Sequence, residues 1–216
     1  MIEVYYAPPS IYGRKVLAVL LEKDLDFEIK PLSFKTQDYL QPEYLKLNPN
    51  GEVPTIVDED RVIYESTAIG EYLDEEYPEP PLMPAGPYER AQVRMIEDFC
   101  DLHLYRLLVK CIIKKLRAQE ESTEQEKTAV ANAFKRIETY LGKKNFLAGE
   151  FSLADCAFMA AIPTAEGLGF EAVLQTSPAF KSYIARLKSR PSFKGALMDS
   201  SESIQARIVK SEAVKK

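Results

Sequence analysis

Residues 2–29 read IEVYYAPPSIYGRKVLAVLLEKDLDFEI, and three changes of pattern within them decide the fold class. Ile2-Glu3-Val4-Tyr5-Tyr6 has strand character and is stopped by Ala7-Pro8-Pro9. Ser10 then stands where an N-cap belongs, and Val16, Leu17, Val19, Leu20 and Leu21 supply the apolar face of a helix ending near Lys23. Asp26-Phe27-Glu28-Ile29 alternates as a second strand. A strand–helix–strand opening implies a right-handed crossover and a parallel pair.

Downstream, Leu32–Leu47 is irregular, with one helical turn around Glu43-Tyr44-Leu45. Pro54-Thr55-Ile56-Val57 and Val62-Ile63-Tyr64 flank Asp58-Glu59-Asp60 and predict a tight antiparallel hairpin. Ser66 opens a helix carrying Ile69, Tyr72 and Leu73. The order is therefore βαβ, a loop, then ββα. Pro78, Pro80, Pro81, Pro84 and Pro87 follow, and neither a helix nor a central strand tolerates that density. The predicted organisation is a domain over 1–77, an extended linker over 78–87 and an all-helical domain over 88–216. Helix signals in the second part are Pro87-Tyr88-Glu89, Ser122-Thr123 with Glu126, Ser152-Leu153-Ala154-Asp155 and Ser177-Pro178. A helical pattern runs from Pro87 to about Arg117, and a short last helix ends near Met198. The polar tail from Asp199 to Lys216 is expected to be mobile.

Composition excludes several classes. The chain has 216 residues and a net charge of −5, which argues against a general nucleic-acid or anionic-membrane binder. No apolar run approaches the ~18 residues of a membrane span, and the N-terminus lacks a secretory pattern. Three cysteines, Cys100, Cys111 and Cys156, are too widely spaced for a metal knuckle and suit a reducing, cytoplasmic setting. The single histidine, His103, cannot build a His-rich metal site, and beside Leu102, Leu104 and Leu107 it reads as a packed or interface side chain.

Three short stretches carry chemistry. Ser10 sits where a strand becomes a helix, beside unpaired N–H groups at a positive helix end. Such a place stabilises an anion such as a thiolate, since helix N-termini lower a thiol's pKa from ~8.5; it is equally the place of a plain N-cap. Tyr12 is the second hydroxyl considered there. Val53-Pro54 is compatible with a cis bond that turns the Val53 N–H and C=O outward to pair with an extended peptide, or with a simple turn proline. Ser66 at a helix start can hold a carboxylate, and Glu65 can pair with an ammonium group; an ordinary cap with a solvated glutamate is the alternative.

Four motifs in this order resemble the cytosolic glutathione transferases: Pro9-Ser10-Ile11-Tyr12-Gly13-Arg14-Lys15-Val16, Asn48-Pro49-Asn50-Gly51-Glu52-Val53-Pro54, Tyr64-Glu65-Ser66-Thr67-Ala68-Ile69, and Phe146 to Asp155. The resemblance covers nearly the whole chain, and the run from Ser10 to Phe27 is most similar to the serine-using phi and theta-like classes. It implies a thioredoxin-like domain with a four-stranded mixed sheet, followed by a helical bundle. It implies an enzyme of detoxification that joins the thiolate of glutathione, a co-substrate, to small hydrophobic electrophiles, with no metal or other cofactor. Ser10, or Tyr12 in its place, would stabilise the thiolate. Glu52, Val53, Pro54, Glu65 and Ser66 would hold the tripeptide. Ile11, Tyr12, Leu102, Arg106 and Phe158 would line the electrophile pocket. A cytoplasmic homodimer is implied as well. The absence of cysteine before Cys100 argues against thiol transfer through a mixed disulfide. Rival readings are a non-catalytic regulator of the same fold, such as the stringent-starvation proteins, or a glutathione-dependent isomerase, dehalogenase or peroxidase.

Overall fold

In a computed structural model, residues 1–8 and 10–197 are described; the tail expected over 199–216, and Met198 before it, lie outside the described residues. The chain forms two compact units. The first comprises β1 (Ile2–Tyr6), α1 (Ile11–Glu22), β2 (Phe27–Pro31), a 3₁₀ turn (Asp38–Leu40), α2 (Pro42–Leu45), β3 (Thr55–Asp58), β4 (Arg61–Tyr64) and α3 (Ser66–Glu76). The second begins at Pro81. It holds α4 (Pro87–Phe99), α5 (Arg106–Ile113), α6 (Glu124–Leu141), α7 (Leu153–Gly167) and α8 (Pro178–Ser189). The last helix, α9 (Pro191–Leu197), belongs to the first unit.

The sheet of the first unit has the order β2-β1-β3-β4. β1 and β2 are parallel, as the crossover requires, and β3 is antiparallel to both β1 and β4. Alternation puts Ile2, Val4 and Tyr6 of β1 in the core. The β3–β4 hairpin closes through Glu59-Asp60, with Glu59 at φ 57° supplying the left-handed backbone that a two-residue turn needs. α1 is buried from Gly13 to Leu20, far more than a one-sided amphipathic helix, because α3 and α9 both pack against it. A Cβ at Gly195 would lie 2.9 Å from Leu21 Cδ1, and the Ser192 hydroxyl donates to the Glu22 carboxylate. These contacts are why α9 joins the first unit, whereas a split by chain order assigns it to the second. The division after Pro80 has a similar cause. Lys23 Nζ reaches the Pro80 carbonyl at 2.8 Å and Asp74 Oδ1 at 2.9 Å, whereas the Leu82 carbonyl accepts from the Leu153 N–H at 3.0 Å in the second unit.

In the second unit the helical path from Pro87 to Ala118 is interrupted by two π-helical segments, Cys100–Tyr105 and Lys114–Ala118. α7 is its central helix, and Leu153 to Ile162 are all buried. Phe158 lies in its aromatic core, stacked on Tyr183 at 5.8 Å and edge-on to Phe134 at 5.8 Å. His103 is exposed, with its ring 5.3 Å from that of Phe99, so of the two expected places it is not in the interior of this chain.

Candidate functional site

One row of the sheet organises the first unit. Lys30, Tyr5, Thr55 and Tyr64 are aligned across the four strands. β1 and β4 both end one residue beyond or at this row, and β3 begins on it. The segments carrying Ser10, Val53-Pro54 and Glu65-Ser66 therefore leave the sheet at the same end. With strands ~4.8 Å apart, Tyr5 and Tyr64 are about 10 Å apart across β3. Two helix N-termini, those of α1 and α3, start there and bring the positive ends of their dipoles.

Ser10 is buried and caps α1, its Oγ accepting from the Gly13 N–H at 3.1 Å. A hydroxyl that accepts in this way still has its own proton to donate. Tyr12 is half-buried in the first turn of the same helix. The Val53–Pro54 bond is cis, and Val53 lies just outside the β3 ladder. Glu65 occupies the cap position of α3 with no side-chain cap bond, and its backbone sits at φ 71°. A non-glycine residue in that region is strained, and such strain clusters where a backbone is held for function. Glu65 is exposed, its Oε1 3.4 Å from Asn50 Nδ2, while Ser66 is buried as the first residue of α3.

The sequence reading missed the scaffold under these groups. Tyr44, Asn48 and Thr55 are buried and share hydrogen bonds. Thr55 Oγ1 is 2.8 Å from the Tyr44 hydroxyl and 3.2 Å from Asn48 Nδ2. The Glu52 carbonyl accepts from both the Tyr44 hydroxyl and Asn48 Nδ2. The Glu52 side chain itself is exposed, so its backbone is the part that fixes the peptide before Val53. Burial raises the Tyr44 phenol above its ordinary value, keeping it a neutral donor. Asn48 and Thr55 flank the Val53-Pro54 motif, and nothing in the sequence marked them as buried partners.

The residues expected in an electrophile pocket fall into different environments. Tyr12 is half-buried, and Leu102 and Arg106 are exposed on their helical path. Ile11 and Phe158 are each at most 1% exposed, and the Phe158 ring packs against Phe134, Phe180 and Tyr183. Both are apolar residues in helix-period runs, where a core face and a cleft face look alike. All three cysteines are buried. Among the described residues no group of three or more His, Cys, Asp and Glu side chains is placed to hold a metal ion, and no helix is long and apolar enough to cross a membrane.

A thioredoxin-like four-stranded unit with this three-segment end, followed by a helical unit, defines a class. The family model for the glutathione S-transferase N-terminal domain matches residues 4–81, and that for the glutathione S-transferase C-terminal domain matches residues 99–191. The chain belongs to the cytosolic glutathione transferase family. A stringent starvation protein A homolog of Haemophilus influenzae is 35% identical over 191 residues, spanning 85% of this chain and 84% of that one. Glutathione S-transferase D7 of Drosophila melanogaster is 31% identical over 173 residues, 79% of this chain and 77% of that one. Among solved structures, a Nilaparvata lugens delta-class glutathione transferase superposes with a TM-score of 0.83 at 29% identity, covering 99% of both chains.

Proposed function

We propose that this chain is a glutathione transferase that binds glutathione across the common end of β1, β3 and β4 and activates its thiol through Ser10. The observation that carries the reading is the shared row Tyr5–Thr55–Tyr64, which brings the three chemistry-bearing segments to one sheet end. An extended tripeptide is about 10 Å long, the same as the span from β1 to β4. Its cysteinyl backbone would pair with the Val53 N–H and C=O. The γ-glutamyl carboxylate would sit on Ser66 and the N-terminus of α3, with Glu65 on the α-ammonium. The sulfur would then lie at the N-terminus of α1.

The chemistry follows from that placement. The thiol proton leaves to solvent, and the thiolate is held by the hydrogen bond from Ser10 and by the α1 dipole. No general base is required of the chain. With an aryl halide, the sulfur lone pair forms the C–S bond and the C–halogen bond breaks, so that halide departs with its electron pair. The enzyme's part is thiolate stabilisation and proximity. The protein would work as a cytoplasmic homodimer with glutathione as co-substrate and no further cofactor.

A second reading has one observation in its favour: five relatives between 28% and 35% identical are stringent starvation protein A homologs. Under it the chain is a binding or regulatory protein of the same fold, without turnover. Retention on immobilised glutathione, then turnover of a generic aryl halide by the wild type and Ser10→Ala, separates the two. The enzyme reading expects retention of both proteins and at least about a tenfold loss of kcat in the variant. Retention without wild-type turnover supports the regulator; equal turnover in both proteins removes Ser10 from the mechanism.

A further inference from the structure

We propose that Gly13 and Tyr6 are positioning residues for the Ser10 hydroxyl: the missing side chain at Gly13 admits the Tyr6 ring against the first turn of α1, and this packing keeps the Gly13 N–H on Ser10 Oγ. The inference rests on the reading of Ser10 as the group that meets the thiol.

Gly13 is the third residue of α1, and its N–H is the donor to Ser10 Oγ. Glycine is less favourable than alanine within a helix, so its presence needs a reason. Backbone conformation is not that reason, because the φ of Gly13 is not positive. Space is. A Cβ at Gly13 would lie 2.3 Å from Tyr6 Cδ2 and 2.6 Å from Cε2, both well inside van der Waals contact. Tyr6 is 3% exposed, it is engaged by other groups, and its backbone is pinned in the ladder opposite Pro31. With the ring buried and its backbone held in the ladder, the proposal puts the movement in the first turn of α1.

The hydroxyl geometry makes that movement consequential. Ser10 Oγ accepts one backbone N–H at 3.1 Å, which occupies a lone pair and directs the hydroxyl's own proton elsewhere. Relieving a 2.3 Å contact to an ordinary separation requires a shift of about 1 Å, enough to take a 3.1 Å hydrogen bond past its useful range. The hydroxyl would then rotate freely or turn back on the helix end, and its bond to the thiolate would weaken.

The test uses the full chain and glutathione, reading the ultraviolet absorbance of the bound thiolate at neutral pH together with kcat and KM. Gly13→Ala is expected to lower the bound thiolate fraction by about tenfold, towards that of a free thiol, with kcat falling in parallel. Gly13→Ala added to Ser10→Ala should change nothing further, because the effect runs through Ser10. Tyr6→Val removes both crowding ring atoms, so Tyr6→Val/Gly13→Ala should restore the thiolate fraction; it also carries the test if Gly13→Ala alone does not fold. A wild-type thiolate fraction no higher than that of free glutathione overturns the Ser10 reading and this inference with it. A raised wild-type fraction that Gly13→Ala leaves untouched overturns this inference alone. So does a further loss in the Ser10→Ala background, or a folded Tyr6→Val/Gly13→Ala protein with the thiolate fraction of Ser10→Ala.

Discussion

Asp155 is fully buried at the start of α7 and accepts four hydrogen bonds. Its Oδ1 takes the Leu147 N–H at 3.0 Å and the Tyr183 hydroxyl at 2.7 Å; its Oδ2 takes the Ser152 N–H at 3.0 Å and the Ser152 hydroxyl at 3.2 Å. Replacing it with alanine strands two buried N–H groups and a buried phenol, at about 1–3 kcal/mol each. Against this stands the cost of holding a charge there. Burial pushes the carboxyl from 3.8 up to about 6, despite the four donors that favour the ion. A shift of that size corresponds to about 3 kcal/mol.

The sign then follows. A folded pKa above the unfolded one means that the native state binds more protons between pH 3.8 and about 6, so this contribution is full below pH 3.8 and lost as pH rises through 6. Asp155→Ala should therefore cost about 3 kcal/mol at pH 7 and about 2 kcal/mol more near pH 4. Urea unfolding of both proteins at pH 4, 5, 6 and 7 measures the gap. Asp155→Asn should not rescue stability, because its amide turns N–H groups towards N–H or O–H donors. A gap that stays constant with pH, or an asparagine variant as stable as the wild type at pH 7, would refute this reasoning.

Two further predictions rest on single residues. At φ 71° a glycine is at ease and an alanine is not, so Glu65→Gly should be more stable than Glu65→Ala by about 1 kcal/mol in chemical unfolding, with both binding glutathione more weakly than wild type by calorimetry. The Thr123 backbone N–H, Lys114, the Thr123 hydroxyl and Lys110 hold the Glu126 carboxyl down to about 2, so its contribution is present above pH 4.5 and lost as pH falls through 2. The stability gap between wild type and Glu126→Gln should accordingly narrow over that acid range in a melting series, the opposite direction to Asp155.

Much of this was legible in order. The βαβ opening, the hairpin around Asp58-Glu59-Asp60 and the helix starts at Ser122-Thr123, Ser152 and Ser177 rest on local signals: period, turn chemistry and caps. Ser10, Val53-Pro54 and Glu65-Ser66 were visible for the same reason, each at a junction between elements. The burial of Phe158 and Ile11 was not legible, because burial is a property of neighbours, and an apolar residue at helical spacing carries no mark of which neighbours it will meet. The Tyr44–Asn48–Thr55 scaffold was not legible because its members meet through hydrogen bonds that cross the strand and loop boundaries.

By itself, then, the sequence determined which segments are strands and helices, where a thiol- or carboxylate-binding hydroxyl could stand, and which mechanisms lack their residues, such as a cysteine ahead of position 100. These follow from backbone propensity and side-chain chemistry, which act locally. Tertiary structure alone decided that α9 completes the first unit, that Gly13 gives room to the Tyr6 ring, and that Ser10, Val53 and Glu65 share one end of the sheet. Each depends on strand register and close packing between residues far apart in the chain, and neither is written in any short stretch of it.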